Sequence, residues 1–286
     1  RDVTGVQTCA LPISDLSRDR SRPVRVATAI GVAVCILATT GTASAATGFR
    51  YRPDADTLAL WHMDEGKGEV IDESGNAVEA LIEGVGAWDN NEDWDAGATG
   101  GSSFSFDGST MIAIASDVEV VQPDIITVEA WVYPTALDGW KLICAHWGGA
   151  IVGSYHLGVE AGTPKFHINT GGGTFFAPAL DQLELDAWTH VAGTYDGSDV
   201  RIYIDGEEAG SASANGDLES GSPDHDVIIG GKASREFPWN GLLDEVRISG
   251  IARDADELSP NLSGPQAVDP SADTLPTLWA ALRSGD

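Results

Sequence analysis

Residues 125–133 read IITVEAWVY, and this stretch decides the fold class. One alternating set is apolar: Ile126, Val128, Ala130 and Val132. The other set is polar or aromatic: Thr127, Glu129, Trp131 and Tyr133. Because successive side chains of a β-strand point to opposite faces, this period of two predicts a strand with one face in a core and one face outside it.

The same alternation recurs further along the chain. Residues 200–205 separate Val200, Ile202 and Ile204 from Arg201, Tyr203 and Asp205. Residues 243–248 separate Asp244, Val246 and Ile248 from Leu243, Glu245 and Arg247. We expect one face of each strand to enter a shared core, and the second face to form a shallow groove of aromatic and polar residues.

Short strand-like runs follow one another from about Pro53 to Leu258, and no long stretch has helical periodicity. The clearest runs are 58–63, 104–114, 125–133, 141–146, 155–159, 165–169, 188–195, 200–205, 227–230 and 242–248. Asp-Gly pairs, which are typical of turns, stand at 107–108, 196–197 and 205–206. The pattern predicts an all-β protein, an antiparallel two-sheet β-sandwich, in one domain.

The N-terminal residues do not fit this pattern. Residues 3–13 read VTGVQTCALPI, which resembles a translated sequencing-adapter oligonucleotide, and no Met precedes Met63. We therefore expect residues 1–13 to be an artefact. Residues 14–45 carry four arginines, an apolar run of about 13 residues from Val26, and small residues ending at Ala45. They predict a secretory signal peptide cleaved after Ala45, and the run is too short for a stable membrane span.

The remaining chain divides into a lead at 46–52, a sandwich domain at 53–258, and a linker with a short tail at 259–286. The linker is rich in Pro, Ser and Gly. The tail carries Leu278, Trp279 and Leu282, enough for one or two amphipathic helical turns. It either docks on the sandwich or serves as an export or attachment tag.

The chain is strongly acidic, with a formal net charge of −28 at pH 7. After Ala45 it has 41 acidic and 11 basic residues, a net charge of −30. Such a surface repels nucleic acid and anionic membranes, so we exclude both as partners. A salty habitat and Ca²⁺ binding each explain the excess. Cys144, the only cysteine after Ala45, lies in an apolar stretch and is expected to be a buried thiol.

Seven segments, taken in order, resemble the laminin-G-like (concanavalin A-like) jelly-roll family. They are LWHMDEG at 60–66, DESGN at 72–76, FSFDG at 104–108, ITVEAWV at 126–132, WTHVAGTYDG at 188–197, IYIDG at 202–206 and NGLLDEVRI at 240–248. The resemblance implies two facing antiparallel sheets, often a structural Ca²⁺, and extracellular binding of glycans or proteins. The resemblance is sufficient to predict the fold, but it does not identify a ligand.

No catalytic motif is apparent in the sequence. Paired carboxylates at Glu-x-Asp-x-Glu spacing, a Gly-x-Ser-x-Gly elbow, His-Glu-x-x-His and a glycine-rich phosphate loop are all missing. Asp244 and Glu245 are adjacent, so a strand places them on opposite faces. His190 follows Trp188 by two residues in a core-like strand, which favours a structural histidine. We therefore predict a binding protein rather than an enzyme.

The predicted ligand site is the second face of the sheet. Aromatic rings stack on sugar faces while neighbouring polar groups fix their orientation. The candidate residues are Glu129, Trp131, Tyr133, Tyr203, Glu245 and Arg247. Three tryptophans in loop-like segments, Trp140, Trp147 and Trp239, are candidates for its rim. One alternative is that these rings only cover a sheet, in a structural or adhesive surface protein without a small ligand. Another is an accessory domain of a glycan-active enzyme.

The predicted cofactor is a structural Ca²⁺, which takes six to eight oxygen ligands. Asp72 and Asn76 share one polar turn near the start of the domain, and Asp244 lies on its last strand. In a jelly roll the first and last strands commonly neighbour each other, so we expect these three side chains to converge. Asp107 and Asp196 are further candidates.

Overall fold

The computed structural model describes residues 51–89, 102–114, 123–147, 154–219 and 226–258. The predicted artefact, the signal peptide, most of the lead and the C-terminal tail lie outside these residues. The described part contains the following strands in chain order: β1 Thr57–Trp61, β2 Ala80–Glu83, β3 Ala87–Asp89, β4 Ser103–Asp107, β5 Met111–Ile114, β6 Ile126–Pro134, β7 Trp140–His146, β8 Tyr155–Glu160, β9 Thr163–Thr170, β10 Gly173–Pro178, β11 Thr189–Tyr195, β12 Asp199–Ile204, β13 Glu207–Ser213, β14 Val227–Ile229 and β15 Asn240–Ser249. One helix, α1 Ala255–Leu258, follows them.

The strands form two antiparallel sheets. The first sheet has the order β13-β12-β11-β6-β15-β4-β3, and β1 also pairs with β15. The second sheet has the order β10-β9-β8-β7-β14-β5-β2. The predicted β-sandwich is confirmed, and so is the expected contact between the first strand and the last.

The inner faces of the two sheets share one apolar core. All four apolar residues of β6 are buried in it, together with Phe166 and Ile168 of β9 in the opposite sheet. At Gly193 of β11 the sheets approach so closely that an added Cβ would lie 2.2 Å from Cγ of Phe166. Burying an apolar side chain of this size contributes about 1.5–3 kcal/mol, so this core supplies the main stabilisation of a domain without a disulfide.

Cys144 lies in the same core, as predicted. Burial raises the pKa of its thiol to about 12, so it is not a reactive group at neutral pH.

A β-bulge in β15 changes the face on which its residues lie. The pairing of β15 with β6 shifts register between Asp244 and Arg247, and Glu245 has a φ of 50°. Strict alternation predicted that Leu243 shares a face with Glu245 and Arg247. The structure instead buries Leu243 in the core with Val246, because the bulge adds a residue and resets the alternation.

Two further differences concern strand boundaries. The run at 104–114 is divided by a turn, in which the carboxylate of Asp107 accepts hydrogen bonds from Ser109 and Thr110. The turn sends β4 into the first sheet and β5 into the second.

Four strands were not predicted: β2, β3, β10 and β13. Edge strands such as β13, with the sequence EEAGSAS, are mostly exposed and carry little apolar pattern.

Candidate functional site

The predicted ligand residues lie on the outer face of the first sheet, the face turned away from the core. Glu129 of β6 and Arg247 of β15 are directly opposite each other. Arg247 Nε donates to Glu129 Oε1 at 2.8 Å, and His190 Nε2 lies 3.0 Å from Glu129 Oε2. Burial alone would raise the pKa of Glu129, but Arg247 and His190 outweigh it and lower the pKa to about 2.

Glu245 extends this buried cluster towards the N-terminal lead. Its carboxylate lies 2.8 Å from His62 Nδ1 and accepts a hydrogen bond from the backbone N–H of Tyr51 at 3.0 Å. The guanidinium of Arg247 lies 4.4 Å from the ring centroid of Tyr51. Burial and the nearby Glu129 raise the pKa of the Tyr51 hydroxyl. Tyr51 was assigned to a lead outside the domain, but it is an integral part of this sheet face.

The expected open groove is therefore wrong for the described residues. Tyr51 and Leu60 pack on Trp131, and Leu258 of α1 packs on Tyr203. Glu129, Trp131, Tyr203, Glu245 and Arg247 are all buried. Tyr133 is half-buried, with its ring centroid 5.5 Å from that of Trp188. Residues at the two ends of the described domain cover this face, and alternation within single strands contains no information about such a cover.

Each of the predicted Ca²⁺ ligands makes hydrogen bonds within the fold. Asp72 accepts hydrogen bonds from the backbone N–H groups of Leu60, Ser74 and Val78 and from the Ser74 hydroxyl. Asn76 donates to the carbonyls of Thr57 and Leu58. Asp244 is buried, and its Oδ1 accepts the N–H of Glu245 at 2.8 Å. Among the described residues, no three His, Cys, Asp or Glu side chains are arranged to hold a metal ion.

The outer face of the second sheet carries a group of aromatic and histidine rings. The sequence did not predict that these rings form one site. His156 of β8, His167 of β9 and Phe176 of β10 are directly opposite one another in register. The ring centroids of the two histidines are 4.3 Å apart, and those of His167 and Phe176 are 4.8 Å apart. Trp147 stacks on the other side of His156 at 4.8 Å. Four rings thus form one continuous stack across the strands.

Two more rings complete this surface, which we call the ring platform: Trp140, Trp147, His156, His167, Phe176 and Phe237. The plane of Trp140 is inclined by 70° to His156 and by 68° to His167, at centroid distances of 5.8 and 5.4 Å. Phe237 lies 6.3 Å from Trp140 and 5.9 Å from Trp147. Phe176 is 46 % exposed, and both tryptophans and Phe237 are half-buried.

Polar groups border the ring platform. Glu160 accepts hydrogen bonds from Trp140 and Lys165, and these bonds lower the pKa of its carboxyl. Lys165 Nζ lies 5.5 Å from the Trp140 ring and 5.7 Å from the Phe176 ring. Burial lowers the pKa of His167 to about 4, and the pKa of His156 is also far below its usual value for the same reason. Both imidazoles are therefore neutral at neutral pH.

The sequence contained part of this signal. Trp140 and Trp147 were predicted at the rim of the first-sheet groove, but they lie on the outer face of the second sheet, and Trp239 is buried in the core. His156, His167 and Phe176 fall on the non-core phase of three consecutive strands, but β10 was not predicted. Without β10 and the strand register, the alignment of the rings was not apparent.

A cavity of about 650 Å³ lies elsewhere, between residues 180–189 and the β12–β13 hairpin. Half-buried Trp188 is its single aromatic residue, and five carboxylates line it. They are Asp181, Glu184, Asp205, Glu207 and Glu208. The cavity has the volume of a small-ligand site, but it offers one ring where the ring platform offers six.

The fold and the family model agree. The chain belongs to the Concanavalin A-like lectin/glucanases superfamily, whose laminin G model matches residues 106–259, just over half of the chain. The family resemblance predicted from the sequence is confirmed. No curated protein matches the chain.

Solved structures with the same fold include binding domains. Domain 4 of AbnA, a GH43 extracellular arabinanase from Geobacillus stearothermophilus in complex with arabinotriose, is 18 % identical with a TM-score of 0.54, covering 72 % of this chain and 98 % of that one. The binding domain of Paraclostridial Mosquitocidal Protein 1 is 13 % identical with a TM-score of 0.56, covering 72 % and 52 %. The binding domain of Botulinum Neurotoxin DC in complex with SialylT is 12 % identical with a TM-score of 0.53, covering 74 % and 52 %.

This chain therefore spans about half the length of the two toxin domains. At these identities the likeness concerns the fold. The helix found in the described residues is α1, which is four residues long. Among these residues, no helix has the length and apolar character needed to cross a membrane.

Proposed function

We propose that this protein is a secreted, non-catalytic carbohydrate-binding module whose ligand contacts the ring platform of the second sheet. The observation that supports this most directly is the cluster of partly exposed rings around Trp140 and Phe176, bordered by the Lys165–Glu160 pair. Sugars offer apolar ring faces edged by hydroxyl groups, and this surface offers aromatic area edged by donors and acceptors.

The arrangement of the rings favours a rigid recognition surface. His156 and His167 are fixed by their strands and stack face to face, while Trp140 lies across both of them and is held by Glu160. A surface that is ordered before binding loses little conformational entropy when the ligand arrives. Neutral imidazoles also avoid the desolvation penalty that two adjacent imidazolium ions would impose.

Binding rather than catalysis is supported by the chemistry of the described residues. The carboxylates at the platform, Glu160 and Glu236, are each engaged by a lysine, Lys165 and Lys232 respectively. Glycoside hydrolysis uses an acid of raised pKa together with a second carboxylate, whereas these two pKa values are lowered. The similar solved structures are mainly binding domains, which also supports binding.

A structural or adhesive surface protein without a small ligand is the alternative. The platform does not favour it, because an adhesive face is expected to be broad and apolar, and here lysines border Trp140, Trp147, Phe176 and Phe237. Secretion rests on the predicted signal peptide at 14–45.

A glycan array probed with the exported protein tests the proposal. We expect a restricted set of glycans to bind, and Trp140→Ala to remove that binding while the protein stays folded. Trp188→Ala, at the cavity and outside the ring platform, is the matched control and is expected to bind as the wild type does. Binding to no glycan, or loss of binding only with Trp188→Ala, would overturn the proposal.

A further inference from the structure

Two of the four lysines of this protein lie at the ring platform. The chain has four lysines, at positions 67, 141, 165 and 232, against 44 acidic residues. Lys165 lies on β9, and Lys232 lies in the segment between β14 and β15. Lys141, on β7, instead donates through its Nζ to Oδ1 of Asn240 in the first sheet, at 3.0 Å. Two of the few cations of this acidic chain therefore border one outer face of one sheet.

Two of these lysines contact the rings directly. Lys232 Nζ lies 4.3 Å from the Trp147 ring centroid and 4.7 Å from that of Phe237. Lys165 Nζ lies within 6 Å of both Trp140 and Phe176. A cation over an aromatic face is attracted by the negative electrostatic potential of the ring. Lys232 is buried, whereas the ammonium group of Lys165 is partly exposed beside two rings, where a ligand on the rings would meet it.

Each of the two platform lysines is paired with a carboxylate, Lys165 with Glu160 and Lys232 with Glu236. The pairing does not cancel the effect of Lys165 on its neighbour His167. Burial lowers the pKa of His167 most, and Lys165 lowers it further and more strongly than Glu160 raises it. The ammonium group of Lys165 therefore acts on the adjacent rings in spite of its acidic partner.

A buried polar atom at the platform also has no partner. His156 is 8 % exposed, and its Nε2 has no hydrogen-bond partner among the described residues. The Nε2 of His167, directly opposite, is in the same condition. Buried polar atoms are normally hydrogen-bonded, so each exception needs an explanation. A polar group of a ligand, or a water molecule held beneath it, would supply one.

We propose that the ligand of the ring platform is an acidic saccharide, with its ring on Trp140 and Phe176 and its carboxylate on Lys165. This inference rests on the proposed function and specifies its ligand class. Lys165 is the better placed lysine, because 18 % of its side chain is exposed against 6 % for Lys232, and Glu160 takes only one of its three donors. Glu160, with 40 % of its side chain exposed, remains beside it as an acceptor for sugar hydroxyls.

The experiment compares acidic glycans with their own carboxyl-reduced, neutral forms on one array and by calorimetric titration. It is done at 0.15 M NaCl, where the screening length of about 8 Å suppresses the repulsion by distant acidic residues. The variants are Lys165→Met, which keeps an unbranched stem but removes the charge, and Glu160→Gln, which removes the competing negative charge. Lys67→Met is the matched control, because Lys67 is exposed and lies outside the platform.

We expect the wild type to bind acidic glycans at least about tenfold more tightly than their reduced forms, the size of one charge-assisted hydrogen bond. Lys165→Met should remove that preference, Glu160→Gln should increase it, and Lys67→Met should leave it unchanged. Equal binding of acidic and reduced forms, or a Lys165→Met preference like that of the wild type, overturns the inference and leaves the proposed function standing. Binding of neither form of any glycan overturns the proposed function itself.

Discussion

Arg247 and Glu129 lie directly opposite each other on neighbouring strands and form a buried ion pair beneath the ring of Tyr51. The guanidinium lies 2.6 Å from Glu129 Oε1 through its terminal nitrogen and 2.8 Å through Nε. A carboxylate in this position keeps its charge only because the cation and His190 accompany it. Because Glu129 and Arg247 are buried in this pair, these two predicted ligand residues of the first sheet have a structural role.

Removing the cation from this pair should destabilise the fold. Arg247→Met leaves the charge of Glu129 buried without its main partner, so we expect the free energy of unfolding to fall by about 3–5 kcal/mol. Urea unfolding followed by circular dichroism measures it. Arg201→Met is the control, since Arg201 forms exposed pairs with Asp196 and Asp199, worth about 0–1 kcal/mol. Equal losses in both variants would contradict this role.

Acid should weaken the domain through the platform histidines. The pKa of His167 is about 4 in the folded protein, where burial and Lys165 lower it, and about 6.5 in an unfolded chain. Between these values the unfolded state binds more protons, so the free energy of unfolding falls as the pH drops from about 6.5 to about 4. The pKa of His156 is also lowered in the folded protein, so its protonation likewise lowers the free energy of unfolding as the pH falls.

His167→Gln, which cannot be protonated, tests this window. The difference in stability between wild type and variant should be largest above pH 6.5 and should shrink towards pH 4. Loss of the Glu129 charge occurs at lower pH, between about 4.5 and about 2, and is common to both proteins. A difference that stays constant from pH 7 to pH 4 would show that His167 does not titrate in this way.

Gly193 should be required for the close approach of the two sheets. In Gly193→Ala the new methyl group meets the ring of Phe166, whose position is fixed by the core. We expect overpacking to cost about 1–3 kcal/mol in thermal or chemical unfolding. Gly171→Ala is the matched control, because nothing lies within 4 Å of its added Cβ. If both variants are equally stable, the sheets are more loosely packed than described.

Ca²⁺ binding stays a prediction of the sequence. A specific site should raise the melting temperature with saturation at micromolar to millimolar Ca²⁺ against a constant background of NaCl, by the linkage between binding and stability. Asp72→Ala is an unsuitable test, because it removes several hydrogen bonds from the turn whether or not a metal binds. A melting temperature that depends only on ionic strength would contradict the prediction.

The sequence predicted the fold because strand alternation and Asp-Gly turns are local properties. It failed at Leu243, where one bulge residue reversed the faces, and at Tyr51, whose docking on the sheet joins residues 194 positions apart. The ring platform depends on the register of three strands, and this register is not encoded in any one of them. Trp140 and Trp147 could be chosen from the sequence as candidate site residues. Their contacts with His156 could not be predicted from it.

The most direct test of the account is the affinity of Trp140→Ala for a glycan that binds the wild type. Trp140 and Phe176 carry the proposed sugar contact, so we expect each alanine variant to weaken binding by about tenfold or more, with a near-native circular dichroism spectrum. Trp188→Ala should bind like the wild type. Unchanged affinity in folded Trp140→Ala and Phe176→Ala would contradict the ring platform as the ligand site.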